Sequence, residues 1–355
     1  MGSPYMEFAK LRSGAKYNLA TSGIMSYPLA DLPVRIEALE INGPTVYGYA
    51  PLQERIAAYN GVSPDCVLKA DGTSLANHLA MAATFDPGDE VLIEHPTYEL
   101  LESAALYLGA DLRRFERRFE DRFRIDPGEV ERQITRRTKL IILTNLHNPS
   151  GAYADEATMQ AVGEIAKAHG ARMLVDEVYL ETFYGRRPRP AFHLGDHFLV
   201  TSSLTKAFGL SGLRCGWVLC SPELADRMWR INDLYAATPA HPAELLSVIA
   251  LDHLDKIAAR AKRLLDQNRK SMDAFLGSRA DLDFHRTSEG TIVFPRLRKG
   301  SVDDFLQMLR EKYETSAVPG RFFDMPQHFR IGIGGDPEMT RIGFERLSLA
   351  LDEYG

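Results

Sequence analysis

The sequence predicts an α/β protein: a largely parallel sheet covered on both faces by helices, with a second, smaller α/β domain beside it. Three observations carry this. Short apolar runs alternate with helical patterns, as they do where parallel strands are buried on both faces. Each run stops at a cluster of polar or special residues. From about Ser221 the texture changes to long helices followed by isolated short strands.

Taken in order, the segment up to roughly Asn42 contains the turn-like "TSGIMSYP" and is expected to join the smaller domain as residues 1–42. Residues 43–240 are expected to form the large domain and 241–355 the small one. In the large domain, residues 74–85 and 154–169 read as helices. "DEVLIEHPTY" gives an apolar run at residues 91–93, followed by Pro96 and Tyr98. "KLIILTNLHNPSG" gives residues 140–143, then Asn145, Asn148, Pro149 and Gly151. "ARMLVDEVYLE" gives residues 173–175, then Asp176 and Tyr179, and "HFLVTSSLTK" gives residues 198–200, then Ser202, Ser203 and Lys206. Ligands of such sheets sit outside the carboxyl ends of the strands, so four distant clusters are brought to one rim. Ser221 followed by Pro222 is a capped helix start. Helical sequence continues to about Leu276. "GTIVFPRL" then reads as a strand, "VDDFLQMLREKY" as a helix, "HFRIGIGG" as a strand, and residues 337–353 as a closing helix.

The 355 residues, 45% of them hydrophobic, suffice for cores in two domains. A net charge of -6 gives no sign of a nucleic-acid partner. No apolar run has the length of a membrane span, and "MGSPYMEFAKLRSG" has no apolar signal core. The three cysteines, Cys66, Cys215 and Cys220, have no metal-like spacing and cannot all pair, so a reducing, cytoplasmic setting is expected. "RRFERRFEDRFR" (113–124) is basic but interrupted by acids, and reads as a solvated strand edge or loop. His193 and His197 flank a glycine outside any zinc motif and read as ordinary histidines, so no metal is expected.

The stretch "TSSLTKAFGLSGLRCGW" raises the sharper question, because Lys206 lies among small and apolar residues with no carboxylate beside it. A surface lysine would not need Ser202, Ser203, Thr205, Gly209, Gly212 and Gly216 to leave room around it. Ser203 to Lys206 also matches S-x-x-K of penicillin-binding proteins and β-lactamases, but the companions S-D-N and K-T-G are absent. The third reading is a Schiff-base lysine, since an amine attacks a carbonyl only when neutral and a desolvated site favours that form. If the carbonyl belongs to pyridoxal phosphate, its phosphate needs a helix N-terminus and a cation, its ring nitrogen a carboxylate, and its ring face an aromatic. "DGTSLANHLA" supplies Gly72, Thr73 and Ser74 at a helix start; Arg214 supplies the cation, Asp176 the carboxylate and Tyr98 the aromatic.

"HNPSG", "DEVY" and "SSLTKAFGLSGLRCGW", with "DGTSLANHLAM", "DPGDEVLIEHPTY" and "RIGIGG" in register, resemble the signature blocks of the class I/II aminotransferases. These are pyridoxal-phosphate enzymes of fold type I, and the similarity runs from about Tyr47 to Gly335. The resemblance implies a mostly parallel seven-stranded sheet and a homodimer with shared active sites. It implies that Lys206 holds the cofactor and shuttles the substrate's α-proton, and that Asp176 faces the pyridine nitrogen. Tyr179 and Asn148 would contact the ring's phenolic oxygen, and Tyr98 would stack on the ring. Thr73, Ser203 and Arg214 would take the phosphate, with the Gly72 and Ser74 backbones nearby, and Arg330 would clamp the substrate carboxylate together with Asn148. Tyr47, with Tyr49 as its competitor, would reach the neighbouring subunit's phosphate. His147 and Tyr153 read as structural. The stretches "LATSGIMSYPLADL" and "VYGYAPLQERIA" depart from the family's usual pocket-lining segments, and no second arginine is committed to a distal carboxylate. The implied reaction is transfer of an amino group between an amino acid and a 2-oxo acid; β-elimination, as in C–S lyases, or a synthase or decarboxylase reaction is the alternative on the same scaffold.

Overall fold

A computed structural model describes residues 2–355. Its large sheet has seven strands: β1 Val67–Asp71, β2 Glu90–His95, β3 Asp111–Glu116, β4 Thr138–Thr144, β5 Arg172–Asp176, β6 Phe198–Ser203 and β7 Cys215–Leu219. Their spatial order is β1-β7-β6-β5-β4-β2-β3. Strand β7 runs antiparallel to both of its neighbours, and the other pairings are parallel. The alternation of β4 shows why the sheet is buried twice over. Leu140 and Ile142 enter one apolar layer, Ile141 and Leu143 the other.

Among the described residues, eleven α-helices accompany the sheets: α1 Pro4–Leu11, α2 Ala50–Asn60, α3 Thr73–Ala82, α4 Glu99–Tyr107, α5 Pro127–Gln133, α6 Glu156–Ala168, α7 Pro222–Asn232, α8 His241–Asp252, α9 Leu254–Gly277, α10 Val302–Tyr313 and α11 Pro337–Tyr354. Leu52 and Ile56 of α2, Met159 and Val162 of α6, and Ala250 of α8 cover one sheet face. Leu79 of α3, Leu101 of α4 and Met228 of α7 cover the other. A separate core joins Leu19 and Ile24 to Leu265 of α9, Phe305 of α10 and Phe344 of α11. Ala250, Leu254 and Ile257 pack with the large-sheet core, whereas Ala261 and Leu265 pack with the second. The change between cores therefore falls inside α9, beyond residue 240.

The small sheet has three strands, β8 Ile292–Val293, β9 Val318–Pro319 and β10 Phe329–Gly332, with β10 in the middle and antiparallel to both. "GTIVFPRL" is not one strand. Pro295 has no N–H to donate to a ladder, and Arg296–Leu297 instead pairs with Leu282–Asp283. The basic stretch 113–124 also departs from its solvated reading. Glu116 ends edge strand β3, but Arg117 is wholly buried, and its Nη1 donates to Glu94 at 2.6 Å and its Nε to the Phe123 carbonyl at 2.7 Å.

Candidate active site

The carboxyl ends of the central strands open into a cavity of about 860 Å³. Its wall contains Thr73, Ser74, Tyr98, Asn148, Asp176, Tyr179, Lys206 and Arg214 together. Lys206 lies three residues beyond the end of β6 and is half-buried, and its Nζ lies 3.3 Å from the Ser22 hydroxyl. Among the described residues it has no ion-pair partner, which leaves the amine to the cavity.

Asp176 is the last residue of β5 and is buried. Burial pushes its carboxyl up to about 6, even though Asn77 Nδ2 donates to it at 2.8 Å and the Val178 N–H at 3.1 Å. Asn77 is itself fixed, because its Oδ1 accepts from the Thr201 hydroxyl at 2.5 Å. A buried acid held this way favours a cationic hydrogen-bond donor beside it.

At the other end, Gly72 caps α3 with φ 84°, a backbone conformation open to glycine. A Cβ there would lie 2.3 Å from Arg214 Nη2, so the missing side chain is what admits the guanidinium. Arg214 Nη2 donates to the Asp71 carbonyl at 3.0 Å, and the Thr73 hydroxyl donates to Ser203 Oγ at 2.8 Å. The α3 N-terminus, the Thr73 hydroxyl and a permanent cation line this end of the cavity and suit a dianionic group, while Ser203 is wholly buried behind Thr73 and does not line it.

Asn148 lines the cavity's far side, and Arg330 stands behind it. Arg330, on β10, is wholly buried, and its Nη1 donates to Asn148 Oδ1 at 2.9 Å. Asn148 is positioned in turn. Its N–H donates to Thr144 Oγ1 at 2.9 Å, and the Thr144 N–H and hydroxyl both donate to Glu94 Oε1, at 2.7 and 2.6 Å. The Arg117–Glu94 pair thus anchors, through Thr144, the loop that carries Asn148. His147 points away: its ring hydrogen-bonds the Pro96 carbonyl at 2.8 Å and Ser150 Oγ at 2.6 Å, and burial holds it well below the usual histidine range. His193 bonds the Asn60 carbonyl at 2.9 Å, and no metal-type cluster of side chains occurs among the described residues.

Tyr47 stands apart from its own chain's cavity. It is exposed, with its hydroxyl donating to Asp233 Oδ2 at 2.7 Å and the Arg230 guanidinium 4.5 Å from its ring centre. Tyr49 sits at the start of α2, edge-on to His241. Sequence reasoning missed Tyr5, Ser22 and Asn77. Asn77 lies four residues after Thr73, on one face of α3. Tyr5 lies on α1, whose Ser3-Pro4 start repeats the cap-and-proline signal read at Ser221-Pro222.

The donor set fits pyridoxal phosphate: a phosphate cradle that a Cβ at Gly72 would fill, a buried acid for the ring nitrogen and an unpaired amine between them. The fold and this site define the class, a pyridoxal-phosphate-dependent enzyme of fold type I. The chain belongs to the family described as aminotransferase class I and II, whose sequence profile matches residues 40–347. Capreomycidine synthase of Streptomyces vinaceus is 29% identical over 343 residues, covering 92% of this chain and 88% of that protein. Arginine–pyruvate transaminase AruH of Pseudomonas aeruginosa is 27% identical over 371 residues, covering 98% and 93%. The crystal structure of a pyridoxal-phosphate-dependent aminotransferase from Streptococcus suis superposes with a TM-score of 0.93 at 25% identity, covering 100% of this chain and 99% of that one.

Proposed function

We propose that the protein is a transaminase moving an amino group between an amino acid and a 2-oxo acid. The observation that carries this is the unpaired Lys206 amine in one cavity with Asp176 and the Asn148 side chain that Arg330 holds. Bound pyridoxal phosphate supplies a carbonyl and an electron sink. With the cofactor bound, Lys206 would hold its carbonyl carbon; displaced there by the substrate's amine, the freed Lys206 amine would take the proton from the substrate's α-carbon and deliver it to the cofactor's carbonyl carbon. Asp176 keeps the ring nitrogen protonated. Thr73, Arg214 and the Gly72 and Ser74 backbones anchor the phosphate, with Ser203 behind Thr73. With the cofactor bound, Asn148 and Tyr179 would bond the ring's phenolic oxygen, and Tyr98 would lie against the ring. Arg330 orients the substrate carboxylate, which favours a bidentate guanidinium over an ammonium.

The exposed apolar residues Ile41 and Val46, close to Tyr47, and Leu234, next to its partner Asp233, support a homodimer in which Tyr47 or Tyr49 reaches the neighbouring site. All three cysteines are unpaired, which supports a reducing, cytoplasmic setting. No helix among the described residues is long and apolar enough to cross a membrane.

The similarity to a synthase favours a second reading, a synthase or elimination reaction on the same scaffold. A panel of amino acids tested one at a time against the holoenzyme, with Lys206→Ala as control, separates the two. Transamination predicts stoichiometric 2-oxo acid with the amino group retained on the cofactor. Catalytic release of ammonia and a 2-oxo acid from cystathionine would favour elimination instead.

A further inference from the structure

The carboxylate arginine has a neighbour that the proposed function does not yet use. Tyr5, on α1, is buried, and its hydroxyl accepts from Arg330 Nη2 at 2.7 Å. The guanidinium also lies 5.3 Å from the Tyr5 ring centre. Arg330 makes no ion pair among the described residues, and its Nε has no hydrogen-bond partner. A buried cation in this condition is costly until an anion joins it. Tyr5 lines the cavity together with Asn148 and Lys206, whereas Arg330 stands behind it. An anion approaching the guanidinium from the cavity therefore meets the Tyr5 hydroxyl.

That hydroxyl has a hydrogen to give. Its oxygen accepts from Arg330, and among the described residues no acceptor takes its own O–H, so the phenol's donor capacity is free for a group in the cavity. The ring alone would not explain a tyrosine here. It sits edge-on to Tyr98 and among Phe322 and Phe323, an aromatic packing that phenylalanine would serve equally. Burial raises the phenol's pKa, but the charges of Arg330 and Lys206 hold it below the usual tyrosine value, which strengthens it as a donor.

We propose that Tyr5 is a substrate-positioning residue whose hydroxyl donates to the substrate's α-carboxylate while accepting from Arg330. This rests on the reading of Arg330 as the carboxylate site. A carboxylate suits the pair because its two oxygens can take the guanidinium and the phenol at once.

The test titrates wild-type and Tyr5→Phe holoenzyme with propionate, followed through the absorbance of the bound cofactor, with propylamine as the probe that lacks a carboxylate. Tyr5→Phe is expected to weaken propionate about tenfold, the scale of one hydrogen bond to a charged group. Propylamine affinity and the thermal midpoint should stay the same, and Tyr5→His, which keeps a ring and a donor, should recover part of the loss. In turnover the KM of every amino donor should rise while kcat changes little. Unchanged propionate affinity overturns the proposal, and so does an equal loss for propylamine, which would mark a packing role. Tighter propionate binding in Tyr5→Phe also overturns it, because the hydroxyl would then compete with the carboxylate. The titration needs no turnover, so a wild-type enzyme that transaminates nothing sinks the proposed function without deciding the role of Tyr5.

Discussion

Arg330 and Asn148 lie 182 positions apart in sequence, yet the guanidinium donates to the Asn148 amide oxygen at 2.9 Å. One residue is on the middle strand of the small sheet, and the other is in the loop after β4 of the large one. The contact joins the small sheet to the large one behind the cavity wall. Under the proposed function, Arg330→Lys should raise the KM for amino donors by roughly 10–100-fold, because an ammonium forms neither the bidentate clamp nor the same bond to Asn148. Steady-state kinetics check this, and an unchanged KM would place the carboxylate elsewhere.

The anchor of that loop should be visible in stability. Glu94 and Arg117 are both wholly buried, and Glu94 also holds both donors of Thr144. Removing one partner strands the other charge, so Glu94→Ala should cost roughly 3–5 kcal/mol in denaturant unfolding. A loss below about 1 kcal/mol, the range of an exposed pair, would contradict the buried geometry.

Asp176 gives a pH signature in the cofactor-free protein. Its folded-state pKa is raised from 3.8 to about 6, so between those values the folded state holds a proton that the unfolded state has lost. Its contribution to stability is therefore full below pH 3.8 and falls as pH rises to about 6, by roughly 3 kcal/mol in all. Glu94 and Glu177, also raised by burial, make stability fall with pH in both proteins, so unfolding of apo wild type compared with apo Asp176→Asn should show a steeper fall across this range by about this amount. Parallel curves for the two proteins would contradict it.

Gly72→Ala tests the phosphate cradle. The added carbon would meet Arg214 at 2.3 Å, and the backbone at φ 84° and ψ 167° is strained for any side chain, by roughly 1–3 kcal/mol. Cofactor affinity, from absorbance titration of the apoprotein, should fall about tenfold or more. Full retention would mean that the phosphate binds away from α3.

Much of the large sheet was legible because its strands are apolar on both faces and give way to polar residues, as β4 does at Asn145 and β6 in its closing Ser202 and Ser203. The shared rim of Asp176, Tyr179, Asn148 and Lys206 follows from parallel topology alone. Less legible were features that depend on contacts distant in sequence. Arg117 looks like its exposed neighbours until Glu94 meets it across two adjacent strands. Tyr5 stands only five residues into the chain, and its use depends on α1 folding back over the cavity. The passage from one core to the other inside α9 leaves no mark in composition, since a single amphipathic helix serves both.

The most direct measurement is borohydride reduction of the cofactor-saturated protein, followed by mass mapping of the labelled peptide. The account predicts one pyridoxyl group fixed on Lys206 and no label in Lys206→Ala. Label on another lysine, or none after saturation with pyridoxal phosphate, would contradict it.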